Sequence, residues 1–313
     1  SKRKPLRIGH LSTGYHTNFI LMNEKNLSKD LKREINWNLF GTGPEIIDAF
    51  RKNLLDLAYI GIPPALIGID QGVKISCIAG GHIEGTLLIA KKKKYKSSLD
   101  LNDNIKKTLI QFEGQLLGVP RRGSIHDVLI NHYVKKFNLE NHIEIKNYDQ
   151  PELIALDVKN DKISAGIGTP SLAVFASTLF NSHIIIPPEK FFSYNPSYGI
   201  VVSKSLINQN PILIKIFLKY HKKAASLLRN HPKKAAKIIS KSFEFLNKNY
   251  IKEIISISPK YCIALSKRYI NSTKQFKSIM FKENYISKKL DITDVFNFNF
   301  IKKIHPEQEH YYS

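Results

Sequence analysis

The stretch PRRGSIHD, residues 120–127, sets two cations, a glycine, a hydroxyl and an imidazole ahead of an apolar helical pattern. That order suits the seating of an anion. The first N–H groups of a helix have no intrahelical partner, and the helix dipole favours negative charge there. Ser124 can cap the helix and donate a hydroxyl, and Asp127 reads as the completion of the cap. Arg121 and Arg122 either neutralise an anion or, preceding the cap, point to solvent. The stretch lacks the Gly-Lys-Ser/Thr ending of a P-loop and the flanking glycines of a nucleophile elbow, and no dinucleotide-binding glycine pattern occurs in the chain.

Four further strand-to-helix junctions share this chemistry of Gly, Ser, Thr, Pro and His: STGYH at 12–16, IGIPP at 60–64, AGGHIEG at 79–85 and GIGTPS at 166–171. Together the five predict a small, anionic ligand held largely by backbone donors. His16, His82 and His126 all fall in these loops, with His10 and Glu84 nearby. Neutral imidazoles beside a carboxylate can hold a divalent cation such as zinc. No compact spacing such as His-x3-His supports that, so the three read first as hydrogen-bonding cleft residues, with no metal and no cofactor. Tyr194 and Tyr198 either wall the ligand or pack a hinge.

Strands and helices alternate around these loops. LRIGHLS, INWNLFG, LDLAYIG and KISCIAGG read as strands, and NFILMNEKNLSKDL reads as one helix. Thr42 and Glu45 have capping-box spacing, with Pro44 in the first turn. QLLGVP, IEIKNY and ISAGIG repeat the pattern, and residues 211–290 read as helical. Alternation of this kind predicts a mixed, mainly parallel sheet covered by helices on both faces, twice over. Two strand-like crossings near Lys91 and Val201 predict two lobes with a cleft between them: residues 1–91 with 200–313, and residues 92–199.

The formal charge of +22 raises nucleic-acid binding. The basic residues are 40 Lys and only 8 Arg, however, spread over nearly every helix. Readers of bases and phosphates favour the planar arginine fork, so the charge reads as solvated surface. Cys77 and Cys262 read as two buried thiols, one pair being no disulfide framework. No apolar run approaches the ~20 residues that span a bilayer. The opening SKRKPLRIGH, without Met or an apolar leader, fits a tagged cytosolic chain or one whose leader was removed.

RIGHLSTGYH, the block FGTGPEIIDAFRKNLLDLAYIGIPPALIGIDQGVKISCIAGGHIEGTLLIAK and GVPRRGSIHDVL together resemble the substrate-binding proteins of ABC importers for nitrate, sulfonates and related compounds. The resemblance covers roughly residues 6–240, and Gly41 to Gly85 carries most of its specificity. It implies a two-lobed type 2 periplasmic-binding fold that closes on its ligand without chemistry. It implies an extracytoplasmic, monomeric protein, tethered near the membrane, with an ABC permease and an ATPase as partners. By position its ligand contacts fall on Ser12, Thr13, Gly14 and His16, on Gly61, Ile62 and Pro63, and on Gly81 and His82. They continue on Gly123, Ser124 and Ile125, with His126 beside them, then Thr169 and Tyr198. The bulky Tyr15–His16 pair and the histidines at 82 and 126 depart from the family pattern, which points away from nitrate or a simple alkanesulfonate. Two alternatives follow: a binder of a thiamine-precursor pyrimidine, and a thiamine-pyrimidine synthase that consumes its own histidine and a bound pyridoxal phosphate. The synthase carries a cysteine-rich iron-binding stretch that this chain lacks.

Overall fold

The computed structural model describes residues 3–312, so the expected first-lobe membership of residues 1, 2 and 313 lies outside the described residues. Ten strands form two five-stranded sheets. The first contains β1 (Leu6–Leu11), β2 (Ile35–Phe40), β3 (Leu57–Ile60) and β4 (Ile75–His82). The second contains β5 (Leu87–Lys91), β6 (Leu116–Pro120), β7 (Glu144–Tyr148), β8 (Ala165–Gly168) and β9 (Ser182–Ile186). β10 (Tyr198–Ser203) returns to the first sheet. The orders are β2-β1-β3-β10-β4 and β7-β6-β8-β5-β9.

Each sheet has a parallel trio and one antiparallel strand inserted beside it. Ile8 of β1 pairs Trp37 on one side and Leu57 on the other, both parallel, whereas β10 runs antiparallel to β3 and β4. In the second sheet β6 pairs β7 and β8 in parallel, and β5 runs antiparallel to β8 and β9. The sheets are therefore mixed, as read from the sequence. The strand Leu87–Lys91, which the sequence reading leaves in the first lobe, belongs to the second sheet. The chain crosses at 83–86, before the apolar strand, and returns through 187–197.

β3 and β4 are buried along their whole length, which explains their unbroken apolar runs. The helix Pro211–Asn230 lays Leu213, Ile214, Phe217, Leu218 and His221 inward, as its spacing predicts. These side chains join Ile8, Leu57, Tyr59 and Ile200 in one core. Further along, the helix Lys248–Ile257 packs on Pro170–Leu179 of the second sheet's layer, and Lys267–Lys282 packs on Ile62–Asp70. The C-terminal segments thus touch elements on both sides of the cleft.

Two local expectations fail. NFILMNEKNLSKDL is two short helices, Asn18–Leu21 and Leu27–Leu31. Asn23 explains the break: its amide donates to Phe19 O at 2.9 Å and to Ser242 Oγ at 2.8 Å, tying the turn to the segment just past the distant helix Pro232–Ser240 instead of continuing its own. Thr42 does not cap Gly43–Arg51 through its side chain. Glu45 Oε2 accepts instead from Gly41 N, one residue before the cap, at 3.0 Å.

Candidate functional site

The loops that follow β1, β2, β3, β6 and β8 meet between the two sheets around a cavity of ≈ 360 Å³. Five helices begin at its walls. Their N-cap residues Thr42 and Gly61 line it from one side, and Ser124, Pro151 and Thr169 from the other. Unpaired N–H groups and the positive ends of five helix dipoles therefore converge on one space.

Ser124 is the best-defined of these caps. Its Oγ accepts from Asp127 N at 3.2 Å, and Asp127 Oδ2 accepts from Gly123 N at 3.0 Å. The same carboxylate accepts from Asn131, Asn147 and the Tyr285 hydroxyl, so Asp127 is a structural hub behind the loop. Arg121 and Arg122 do not reach the cavity. Arg121 pairs Asp48 at 3.5 Å, Arg122 lies 4.5 Å over the Tyr285 ring, and both border a separate surface cleft.

Among the described residues, the cavity walls contain no Lys or Arg and one carboxylate, Glu152. Apolar and aromatic groups come from the second sheet's side, with Ile125, Leu172 and Phe175, and from the C-terminal segment, with Phe243 and Leu246 in a loop and Tyr250 and Ile254 on the helix Lys248–Ile257. His16 lines the cavity at 3% exposure, and neither of its ring nitrogens has a partner among the described residues. Its ring lies 4.5 Å from Tyr15 and 3.9 Å from Tyr198. Burial, reinforced by the neighbouring His82, His10 and His221, pushes His16 well below the usual imidazole range. Burial also pushes His126 down, to about 4, and Thr86 Oγ1 lies 2.9 Å from its Nδ1. Two neutral imidazoles therefore face the cavity at neutral pH, His16 with both ring nitrogens unpartnered among the described residues and His126 with its Nδ1 engaged by Thr86. Thr13 Oγ1 and Thr42 Oγ1 are also buried without partners at these walls.

Two hydrogen bonds cross the cleft. Ser12 Oγ donates to Glu152 Oε1 at 3.0 Å, and Ser171 Oγ donates to Thr13 O. The loop after β1 is thereby latched to the first turns of two helices of the opposite layer.

Of the residues named from the sequence, Ser12, Thr13, Gly14, His16, Gly61, Ser124, Ile125, His126 and Thr169 line the cavity. Ile62, Pro63, Gly81, His82, Gly123 and Tyr198 are not among its walls. Ile62 and Pro63 point into the core as the first turn of a buried helix. His82 is fully buried, with Nε2 2.6 Å from Ser258 O. Tyr198 stands behind His16 and covers Gly81, where a Cβ would fall 2.1 Å from the tyrosine ring. Gly123 faces Ile67 and Pro44 at φ +92°, a backbone shape that suits glycine. The three histidines of the zinc alternative are not assembled. Among the described residues, the one cluster of three or more ligand atoms within 4.8 Å is Cys262, His305 and His310, outside the cleft.

Glu152, Phe175, Phe243 and Tyr250 were not legible as walls. They come from segments far apart in sequence, and the only local sign is that Glu152 opens a helix after a strand, as the other site residues do.

The NMT1-like family model matches residues 1–242. The chain belongs to the NMT1-like family. No curated protein sequence matches it. Solved structures similar to this NMT1-like chain include a ligand-binding component of an ABC-type import system from Staphylococcus aureus, with zinc bound. That structure shares 16% identity over 97% of this chain and 100% of its own, with a TM-score of 0.79. The periplasmic aliphatic sulphonate-binding protein SsuA from Escherichia coli aligns at 15% identity over 95% and 92%, with a TM-score of 0.76. The periplasmic nitrate-binding protein NrtA from Synechocystis PCC 6803 aligns at 11% over 97% and 88%, with a TM-score of 0.75. At these identities the likeness is one of fold, and the two-sheet architecture with a central cleft is shared. Among the described residues no helix is long and apolar enough to cross a membrane.

Proposed function

We propose that this NMT1-like protein is the solute-binding component of an ABC-type importer, working outside the cytoplasmic membrane and handing its ligand to a permease and ATPase. The observation that carries this reading is the convergence of five helix N-caps, two from one side and three from the other, on one cavity crossed by the Ser12–Glu152 and Ser171–Thr13 bonds. A ligand there touches both layers at once. Its binding favours the closed form over an open one by the difference in contacts between the two. We place the lobe boundary at the crossings 83–86 and 187–197, which act as the hinge. No step of chemistry is assigned to the cavity, and the protein acts as a binder.

The walls narrow the ligand class. A strongly anionic ligand held by side chains needs Lys or Arg, and none lines the cavity. A cavity of ≈ 360 Å³ is in the range of organic ligands and leaves nitrate mostly uncontacted. The fit is to a small organic molecule with an apolar or aromatic body against Ile125, Leu172, Phe175 and Phe243 and acceptor atoms at the helix N-termini. One observation favours a second, narrower reading, the thiamine-precursor pyrimidine. His16 presents an unpartnered donor and acceptor from an aromatic wall, and a flat heterocycle with ring nitrogens and an amino group matches both.

Native mass spectrometry of the protein as purified, then thermal shift with aminopyrimidines, alkanesulfonates and nitrate, tests the reading, because ligands of the folded state raise the melting temperature. Stabilisation by an organic ligand, lost in His16→Ala and weakened ten- to a hundred-fold in Ser124→Ala, is expected from the loss of one hydrogen bond to a polar or charged group. Saturable binding that is indifferent to His16, Ser124 and Glu152 substitutions would sink it.

A further inference from the structure

We infer that Cys262, His305 and His310 form a zinc site that fastens the C-terminal tail to the body of the protein. Cys262 lies between the helices Lys248–Ile257 and Lys267–Lys282, and the two histidines follow the last short helix, Ile301–Ile304. Cys262 and His305 are buried, and His310 is partly so. Cys262 Sγ is 3.4 Å from His305 Nε2 and 3.7 Å from His310 Nδ1, and the two nitrogens are 3.2 Å apart. Tetrahedral zinc, with bonds of about 2.3 Å to sulfur and about 2.0–2.1 Å to nitrogen, sets S···N at about 3.6 Å and N···N at about 3.3 Å. The three ligand atoms already stand at the corners of one face of that tetrahedron.

Two backbone donors point at the sulfur. Backbone N–H groups of His310 and Ala264 both donate to Cys262 Sγ, at 3.3 and 3.5 Å. His305 Nδ1 is buried without a partner, so the contacts at Nε2 are what hold the ring by polar means. Glu307 Oε1 lies 3.5 Å from His305 Nε2, close to a tetrahedral edge, and is held by Lys222 Nζ at 2.5 Å. A water supplies the fourth ligand, or Glu307 does once its carboxylate swings in, since its oxygens lie outside the 4.8 Å cluster formed by the other three. With Glu307 bound, thiolate and carboxylate together neutralise a dication, which matters beside Lys222 and Arg229. On binding, the S–H proton of Cys262 passes to solvent and an S–Zn bond replaces it, with no change of oxidation state. The site is separate from the cavity between the sheets, so it stands or falls independently of the transport reading.

Cobalt(II) is the probe, added to untagged, chelator-treated protein and followed by absorbance, with zinc as the competitor. The expected result is one cobalt per chain, a near-ultraviolet sulfur-to-cobalt charge-transfer band with the visible bands of tetrahedral cobalt, and displacement by zinc. Cys262→Ser should abolish the charge-transfer band. His310→Gln, at the partly exposed corner and the variant least able to disturb folding, should weaken zinc at least tenfold with circular dichroism unchanged. His16→Ala and His126→Ala should leave the spectrum as it is. Wild-type protein without the band would overturn the site, as would wild-type zinc affinity in His310→Gln. Metal binding lost in the cleft-histidine variants but kept in Cys262→Ser would also overturn it.

Discussion

Acidification from pH 7 to pH 5 should destabilise the protein sharply, through histidines that the fold keeps neutral. His82 and His221 are fully buried, and desolvation pushes them to about 3 and about 4. His221 is fixed between Thr17 Oγ1 and Gly80 O, each at 2.7 Å, and His82 against Ser258 O at 2.6 Å. Unfolding returns both rings to a pKa near 6.5. Between that value and the folded one the unfolded chain binds more protons, so stability rises with pH in this window and is lost as pH falls. At pH 5 the loss relative to pH 7 is about 2 kcal/mol for each ring, or about 4 kcal/mol from this pair. His126, which burial pushes to about 4, and His16, pushed well below its ordinary range, add in the same direction. For a chain of this size the pair alone lowers the melting temperature by about 5–10 °C. Calorimetric scans at half-unit steps from pH 7.5 to 5, on wild type and on His221→Gln, measure the effect. The variant should start less stable and show a shallower slope. A wild-type melting temperature that stays flat across the window, with the fold intact, would refute the reasoning.

Three further outcomes follow from the same geometry. Asp127→Ala should destabilise by about 3 kcal/mol or more, measured by urea unfolding, because donors of Gly123, Asn131, Asn147 and Tyr285 lose their acceptor. Ser124→Ala should lower stability of the ligand-free protein by about 1 kcal/mol through the lost cap, in the same assay and independently of any effect on binding. Gly81→Ala should cost about 1–3 kcal/mol and displace Tyr198 from His16, read as a change in near-ultraviolet circular dichroism.

Much of the architecture was legible because periodicity is local. β3, β4 and the inward face of Pro211–Asn230 announce themselves in runs of a few residues. Strand insertion was not: nothing in YGIVVS tells that β10 lies antiparallel between β3 and β4, since only the completed sheet decides it. Four of the five loops read from the sequence meet at the cavity, because helix N-caps after parallel strands gather at one end of a sheet, whereas AGGHIEG joins the strands β4 and β5 and lends no wall residue. Individual side chains were not legible. His82 looks like a cleft residue by its loop and is turned away by Ser258, 176 positions later. Cys262 and His310 are 48 positions apart, so no spacing motif could reveal that their side chains meet.

The inserted strands also govern the order in which this chain can fold. In the first sheet β3 and β4 have no direct pairing; β10 joins them. Until residues 198–203 leave the ribosome, β4 has no neighbour in its own sheet, and its ISCIAGGH edge stays open through the synthesis of the whole second sheet. A bare apolar edge is a template for pairing with another chain. The second sheet has no such dependence, since β5 to β9 are contiguous in sequence. It can therefore close first, and the emergence of β10 is the event that ends the exposure of the earlier half.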